Sequence, residues 1–184
     1  MIAAAATKGD VTVRNIIPKH QEAHTAKLEE MNVGIVEGPD WIRVYDKGDL
    51  KSTNVKTLPY PGFPTDLQPQ IVALLSMADG DSIVTESVWN SRFQYVTELT
   101  RMGTEIRLND KSAMISGGRK LKGASIKCPD LRAGAAYVIA ALAAEGESNI
   151  YEIKYIDRGY CNIEDKLTAV GADIKRVDAA DDEI

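Results

Sequence analysis

The sequence has few of the residues that mark several classes of protein. Its 184 positions include 2 cysteines, 2 histidines and 6% aromatic residues. Neither Cys128 nor Cys161 has metal-ligand spacing or a neighbouring histidine, so we predict plain small residues at both positions and neither a metal nor an organic cofactor. Two cysteines in an acidic chain also predict reduced thiols and a cytoplasmic location.

An excess of positive charge is also missing. With 22 Lys and Arg against 27 Asp and Glu, the net charge of −5 gives no electrostatic support to nucleic acid or a membrane surface as a partner. No apolar run approaches the roughly 20 residues that cross a bilayer, and the opening residues lack the basic region of a signal peptide. The length instead suits one domain with a sizeable core.

What the sequence does contain is a recurring turn from extended chain into helix. In residues 61–70, PGFPTDLQPQ, two prolines disfavour helix before Thr65. Asp66 is therefore predicted at or beside the N-cap. If Asp66 is the N-cap, Pro69 falls in the first turn, and if Thr65 is, Thr65 and Gln68 form a capping box. The helix itself is indicated by an apolar stripe: Leu67, Ile71, Leu74, Leu75 and Ala78.

The same turn recurs 64 residues later, where Asp130 opens DLRAGAAYVIAAL. Both helices end at a glycine, Gly80 or Gly146, followed by a strand-like run, a second helix and another strand-like run, the last at residues 173–177. The first part of the chain repeats this pattern with a constant offset of 71 residues. We therefore predict one α/β domain over residues 1–178, with β-α-β-α-β-β units at about 1–60, 61–128 and 129–178.

The pattern is incomplete at both chain ends. By the repeat, the first helix should begin before Met1, and the last unit stops at Val177, before two closing strands. Unfinished edges of this kind predict a piece of a longer polypeptide, or a chain that needs a partner or self-associates. The acidic residues 179–184 are predicted to be solvated and disordered.

A threefold arrangement would bring the helix starts together with two loops that carry arginine. Arg92 and Arg158 each lie 12 residues after the glycine that ends a repeated helix. Helix N-termini and arginine side chains both favour phosphate or carboxylate. Five candidate residues would then suit an anionic substrate and a proton acceptor: Asp66, Asp130, Arg92, Arg132 and Arg158.

Ordinary structural roles stay open for these residues. Asp66 and Asp130 can be plain N-caps, which contribute ~1 kcal/mol each. Arg158 can pair with Asp157 or Glu164. We expect His24, Trp89 and Tyr95 to be packing residues. The role of His20 is left open.

Five segments together point to a known family: PGFPTDLQPQ, ESVWNSRF, ELTRMG, PDLRAGAAYVIAALAAEGES and YIDRGYCNIEDKLTAVGADI. They resemble the C-terminal half of the UDP-N-acetylglucosamine 1-carboxyvinyltransferases, also called UDP-N-acetylglucosamine enolpyruvyl transferases. The resemblance runs from about Met1 to Val177. It implies an inside-out α/β barrel of three β-α-β-α-β-β units, the last of them completed by the N-terminus of the full polypeptide.

The resemblance implies transfer of the enolpyruvyl group of phosphoenolpyruvate to the 3′-hydroxyl of UDP-N-acetylglucosamine through a tetrahedral intermediate, with release of phosphate. This is the first committed step of peptidoglycan biosynthesis, which serves cell wall formation, cell shape and cell division. By motif, Asp66 in PTDLQ matches the aspartate proposed as general base. Arg132 in DLRA and Arg158 in DRGY match arginines that bind the phosphoenolpyruvate anion. Asp130 matches an aspartate of lesser role near a moving loop.

The ESVWNSRF segment, which contains Val88 and Arg92, lies on the UDP-sugar side in the family, and here Asn90 replaces the usual glutamate. The family's reactive cysteine, a lysine and further arginines belong to the N-terminal-half domain, and no segment of this sequence matches them. We therefore expect no turnover by this chain alone. Two alternatives are a shikimate-pathway enolpyruvyl transferase of the same fold, and a non-catalytic module that binds UDP-sugar or self-associates.

Overall fold

The computed structural model describes residues 1–90 and 92–177, so the tail predicted to be disordered at 179–184 lies outside the described residues. Its helices and strands fall into three groups that follow the predicted units. The first group holds α1 (Ile2–Ala6), β1 (Asp10–Arg14), α2 (Glu22–Glu30), β2 (Gly34–Glu37), β3 (Trp41–Tyr45) and β4 (Val55–Lys56). The second holds α3 (Gln68–Leu75), β5 (Asp81–Thr85), α4 (Val96–Arg101), β6 (Glu105–Asn109), β7 (Ser112–Ser116) and β8 (Ser125–Lys127). The third holds α5 (Leu131–Ala143), β9 (Asn149–Tyr151), α6 (Lys154–Asp157) and α7 (Ile163–Ala169).

Parallel strand pairs join consecutive groups of elements. Within the first group, β3 lies between β1 and β2 and runs antiparallel to both. The next sheet has the order β4-β5-β7-β6, with β7 antiparallel to its two neighbours. β4 runs parallel to β5, with Val55 opposite Val84, and β8 runs parallel to β9, with Ile126 opposite Ile150. The last strand of one group therefore pairs with the first strand of the next.

The three helices that begin the groups, α1, α3 and α5, pack against one another inside the molecule. All eight residues of α3 are buried, as are residues 133–140 of α5. Helices that are apolar around their whole circumference need neighbours on every side, and here these are the other two helices and the sheets. No helix among the described residues is both long and apolar enough to cross a membrane. With helices inside and sheets outside, the chain has the α/β fold that the resemblance implied.

Gly134 permits close packing on one side of α5. A Cβ atom built at this position would lie 2.5 Å from Cγ1 of Ile156 in α6 and 2.6 Å from Sγ of Cys128, so a larger residue would have to push these neighbours away. Tyr137 of α5 is fully buried, and its hydroxyl donates a hydrogen bond to the carbonyl of Tyr95 at 3.2 Å. These contacts fix α5 against α6 and against the start of α4.

Two of the three predicted packing residues with rings are buried. His24 is 5% exposed and lies edge-on to Phe63 at 6.4 Å, and burial lowers the pKa of His24 to about 4. Tyr95 is 2% exposed. The prediction is wrong for Trp89, which is 56% exposed, because it lies in the loop after β5 and outside any helix or strand.

Residues 173–177 do not form the predicted strand. The equivalent strands β2 and β6 each pair with the strand that follows them, β3 or β7. Within the part of the chain that the structure describes, no strand pairs with residues 173–177. Their backbone N–H and C=O groups therefore have no ladder to join.

Candidate functional site

Asp66 lies in a short 3-10 helix, Thr65–Leu67, that leads into α3. Helix α3 begins only at Gln68, and no side chain caps its first N–H groups. The N-cap of α3 is Leu67, so the prediction that Asp66 lies at or beside the N-cap is confirmed, whereas neither Asp66 nor Thr65 is itself the N-cap. Pro69 does occupy the first turn, as expected. The carboxylate of Asp66 is left available for contacts outside its own helix.

Two arginines hold the carboxylate of Asp66. Arg132 forms a bidentate pair, with Nε 2.5 Å from Oδ1 and Nη2 2.6 Å from Oδ2. Arg92 adds a third bond from Nη2 to Oδ1 at 3.1 Å. The hydrogen bonds from Arg132 lower the pKa of Asp66, against a smaller opposing effect of burial, so this carboxylate is ionised at neutral pH. The pair joins the start of α3 to the start of α5.

Glu86, which the sequence reasoning missed, lies directly behind this cluster and is 1% exposed. Its Oε1 accepts hydrogen bonds from the hydroxyl of Thr57 at 2.7 Å and from the backbone N–H groups of Val88 and Trp89 at 2.8 and 3.1 Å. Its Oε2 accepts from the hydroxyl of Thr65 at 2.8 Å. The sequence did carry a signal, because the inward side of β5 alternates at positions 82 and 84, and the next position in that alternation is 86.

Arg92 is held from several directions at once. Besides its contact with Asp66, its Nη1 donates to the hydroxyl of Thr65 at 2.7 Å. Its guanidinium carbon lies 5.7 Å from the centre of the Trp89 ring, within the range of a cation–π contact. The predicted site residue Val88 follows Glu86 by two positions and is 41% exposed beside this cluster. The predicted residues of the second unit therefore form one connected group.

Asp130 is an ordinary N-cap, as one of the two interpretations proposed. Its backbone is extended, and its Oδ1 accepts hydrogen bonds from the N–H groups of Arg132 at 2.8 Å and Ala133 at 3.0 Å. Arg132 thus takes part in two contacts at once. Its backbone N–H binds Asp130, while its guanidinium reaches across to Asp66.

Arg158 lies just after α6 and is exposed. The next residue, Gly159, approaches the start of α5 closely, since a Cβ atom there would lie 2.7 Å from Cδ2 of Leu131. The loop that carries Arg158 therefore runs beside the helix start that carries Arg132. This is the neighbourhood that the repeat predicted for it.

The predicted partners of Arg158 are bonded elsewhere. Asp157 and Glu164 both pair with Arg176, at 2.6 and 2.7 Å. The side chain of Arg158 makes no hydrogen bond or ion pair with any residue in the ranges 1–90 and 92–177. The pairing alternative for Arg158 is therefore wrong for these residues, and its charge is open to a ligand.

The arrangement suits an anion rather than a metal. Arg92 and Arg132 supply forked cationic donors around the exposed carboxylate of Asp66, and such donors match phosphate and carboxylate groups. Within the described ranges, no cluster of three or more His, Cys, Asp and Glu residues could hold a metal ion. Burial raises the pKa of the Cys128 thiol to about 11, so this thiol is not a nucleophile at neutral pH.

The known proteins that this chain resembles in sequence are carboxyvinyltransferases. The family described as EPSP synthase (3-phosphoshikimate 1-carboxyvinyltransferase) matches residues 1–167. A UDP-N-acetylglucosamine 1-carboxyvinyltransferase of Clostridium botulinum is 53% identical over 96% of this chain and 42% of the relative. A relative of the same name from Desulfofundulus thermocisternus is 49% identical over 96% of this chain and 72% of that relative. The chain thus spans less than half the length of the Clostridium botulinum relative.

Solved structures share the fold. The enolpyruvyl transferase NikO from Streptomyces tendae aligns with a TM-score of 0.85 at 24% identity, over 95% of this chain and 42% of that one. An EPSP synthase from Acinetobacter baumannii aligns with a TM-score of 0.72 at 20% identity, over 96% of this chain and 42% of that one. At these identities the likeness establishes the architecture alone.

Proposed function

This chain belongs to the EPSP synthase (3-phosphoshikimate 1-carboxyvinyltransferase) family and to the UDP-N-acetylglucosamine 1-carboxyvinyltransferases, and we propose that it carries the proton acceptor and part of the anion site for enolpyruvyl transfer. The proposed reaction moves the enolpyruvyl group of phosphoenolpyruvate to the 3′-hydroxyl of UDP-N-acetylglucosamine and releases phosphate. Its place would be the first committed step of peptidoglycan biosynthesis, with consequences for cell shape and division.

The observation that carries this proposal is one exposed carboxylate between two arginines from different parts of the chain. Asp66 is 55% exposed and contacts both Arg132 and Arg92. A reaction that joins a hydroxyl to a phosphorylated carboxylate needs cationic groups for the donor and a carboxylate within reach of the hydroxyl proton. The cluster at the starts of α3 and α5 supplies both.

The roles follow from the chemistry of the two steps. In the addition, the 3′-hydroxyl oxygen bonds to C2 of phosphoenolpyruvate, Asp66 takes the hydroxyl proton, and C3 gains a proton from an acid that the second domain would supply. In the elimination, C3 loses a proton and phosphate leaves C2, which yields the enolpyruvyl ether. We assign Arg132 and Arg158 to the phosphoenolpyruvate anion, and Val88 and Arg92 to the UDP-sugar side. Asp130 would act only through its cap on α5.

The ion pair of Asp66 with Arg132 bears on how the base is activated. A carboxylate in a bidentate pair is a poor proton acceptor, because its pKa is lowered. We propose that the substrate anion takes over the guanidinium of Arg132 and so releases Asp66. The pKa of Asp66 would then rise towards its ordinary value just as the hydroxyl arrives. Base activation would thereby depend on donor binding.

The rest of the site is proposed to come from a second domain, the N-terminal half in the family. The nucleophilic cysteine of the family lies there, and the buried Cys128 of this chain is no substitute for it. We also propose a cytoplasmic location, which the amino-acid composition and the two proposed substrates favour. Substrates bound between two domains would be shielded from water on closure.

The direct test is a titration of UDP-N-acetylglucosamine into the purified chain, followed by calorimetry and amide NMR. We expect saturable binding that weakens by roughly tenfold in Asp66→Ala, because a charge-assisted contact is lost. Asp40→Ala is the matched control, since Asp40 is an exposed aspartate in a turn of the first unit. No binding at millimolar ligand, or equal affinity in Asp66→Ala, would contradict the roles assigned to this chain.

The same experiment separates the runner-up function. Titration with shikimate 3-phosphate tests the acceptor of the shikimate-pathway enzymes, whose name the matching family carries. The identities near 50% with UDP-N-acetylglucosamine 1-carboxyvinyltransferases favour the nucleotide sugar. Tighter binding of shikimate 3-phosphate than of UDP-N-acetylglucosamine would reverse that preference.

A further inference from the structure

A chain of hydrogen bonds runs from the exposed cluster into the interior. Arg92 donates to the hydroxyl of Thr65, which in turn donates to Oε2 of Glu86. The other oxygen of the same carboxylate, Oε1, receives the N–H groups of Val88 and Trp89. One buried carboxylate is therefore linked to both sides of the site. One oxygen binds the loop of Val88 directly, and the other is linked to Arg92 through the hydroxyl of Thr65.

The direction of this chain depends on the negative charge of Glu86. A threonine hydroxyl has one proton to give, and Thr65 gives it to Glu86, so the hydroxyl oxygen faces Arg92 as an acceptor. Burial raises the pKa of Glu86, but its hydrogen bonds lower the pKa by more, so the group stays ionised at neutral pH. A neutral amide at position 86 would present a donor to Thr65 and break this order.

We propose that Glu86 is a positioning residue that sets the loop of Val88 and the guanidinium of Arg92 relative to Asp66. The proposal rests on the function proposed above only for what the two sides bind. The hydrogen-bond geometry stands without it. Glu86 is too deeply buried to touch a substrate, so it acts through its neighbours.

The first test needs no ligand and follows the pKa of the Asp66 carboxyl group by carbon-13 NMR. In Glu86→Gln we expect Arg92 to loosen and the pKa of Asp66 to rise, because the contact with Arg92 helps to lower it. Glu98→Gln is the matched control. Glu98 is also a partly buried carboxylate that accepts from a backbone N–H, that of Lys127, but it has no link to Asp66.

Two isosteric variants separate positioning from general loosening. Thr65→Val cuts the branch to Arg92, whereas Thr57→Val cuts a bond to the other oxygen of Glu86 and the bond from the N–H of Ser87, and neither of these bonds involves Arg92. We expect the pKa of Asp66 to rise in Thr65→Val and to stay unchanged in Thr57→Val. An unmoved pKa in both Glu86→Gln and Thr65→Val, or equal shifts in the two threonine variants, would overturn the proposal. If Glu86→Gln fails to fold, the threonine pair still decides.

The second test uses UDP-N-acetylglucosamine as the probe. If the chain binds it, we expect Glu86→Gln to raise the Kd by about tenfold and Glu86→Asp to restore part of the affinity, because the charge is kept. Equal affinities of Glu86→Gln and the parent chain would overturn the role of Glu86 on the loop side. If the parent chain does not bind the probe, the function proposed above fails, while the pKa measurement still judges the positioning role.

Discussion

The starts of α3 and α5 occupy equivalent places in the repeat, and each has an aspartate, yet the two aspartates do different work. Asp130 turns back onto its own helix and accepts two backbone hydrogen bonds there. Asp66 turns away from its helix and binds the guanidinium groups of Arg132 and Arg92. An equivalent position in the repeat therefore determines where the backbone of a residue lies, but not which groups its side chain contacts.

The local sequence explains this difference. An N-cap side chain binds the N–H of the second or third helical residue. In α5 those positions are Arg132 and Ala133, which both have N–H groups, whereas in α3 the second position is Pro69, which has none. The 3-10 turn before α3 also moves the helix start beyond Asp66. With less to cap, the carboxylate is released to the arginines.

The largest effect expected from this comparison is in Arg132→Ala. The substitution removes the guanidinium from Asp66 but keeps the backbone N–H that binds Asp130, so only one of the two helix starts should respond. We expect the pKa of Asp66 to rise towards its ordinary value, because the largest cause of its lowering is lost, while the cap of α5 stays intact. Carboxyl carbon-13 NMR measures the pKa, and amide NMR reports the cap. Arg107→Ala, at an exposed arginine of β6, is the control, and an unmoved pKa in Arg132→Ala would break the comparison.

The next effect concerns the free energy of unfolding, and here we expect Asp130 to matter more than Asp66. Asp130→Ala removes a cap, so we expect its free energy of unfolding to fall by about 1 kcal/mol. Asp66→Ala removes no cap and only partly exposed ion pairs, so we expect its free energy of unfolding to fall by only about 0.5 kcal/mol. Urea titrations at pH 7 measure both. A larger loss in Asp66→Ala than in Asp130→Ala would show that Asp66 is the structural residue of the two.

Much of the fold could be predicted from the sequence because the same pattern of stripes and glycines recurs. The strand-like run predicted after Gly80 is found at Asp81–Thr85, and four of the five residues of the predicted apolar stripe are buried: Ile71, Leu74, Leu75 and Ala78. The failure at residues 173–177 has a physical cause. A strand needs a paired neighbour, and among the described residues no strand pairs with residues 173–177.

The site was less accessible to sequence reasoning because its contacts depend on packing. Asp66 and Arg132 are 66 residues apart and meet only because α3 packs against α5. Their residue types and motifs could be recognised, but the bidentate pair could not. Glu86 was missed although it recurs in the repeat, since Glu86 and Glu152 each follow a helix-ending glycine by six residues. The burial pattern of β5 was a further signal, because positions 82 and 84 face inward and position 86 is the next in that alternation.

The smallest effect separates capping from charge. Asparagine caps helices about as well as aspartate, so Asp130→Asn should change the free energy of unfolding at pH 7 by no more than a few tenths of a kcal/mol. Asp66→Asn should instead change how stability depends on pH. Pairing holds the pKa of Asp66 below 3.8, so the ion pairs stabilise the fold above that pH and are lost as the pH falls through the lowered value. Urea midpoints of Asp66→Asn and the parent chain should therefore differ at pH 7 and converge on acidification. A gap that stays constant from pH 7 to the acid limit of folding would mean that the charge of Asp66 contributes nothing, and the two aspartates would then differ in geometry alone.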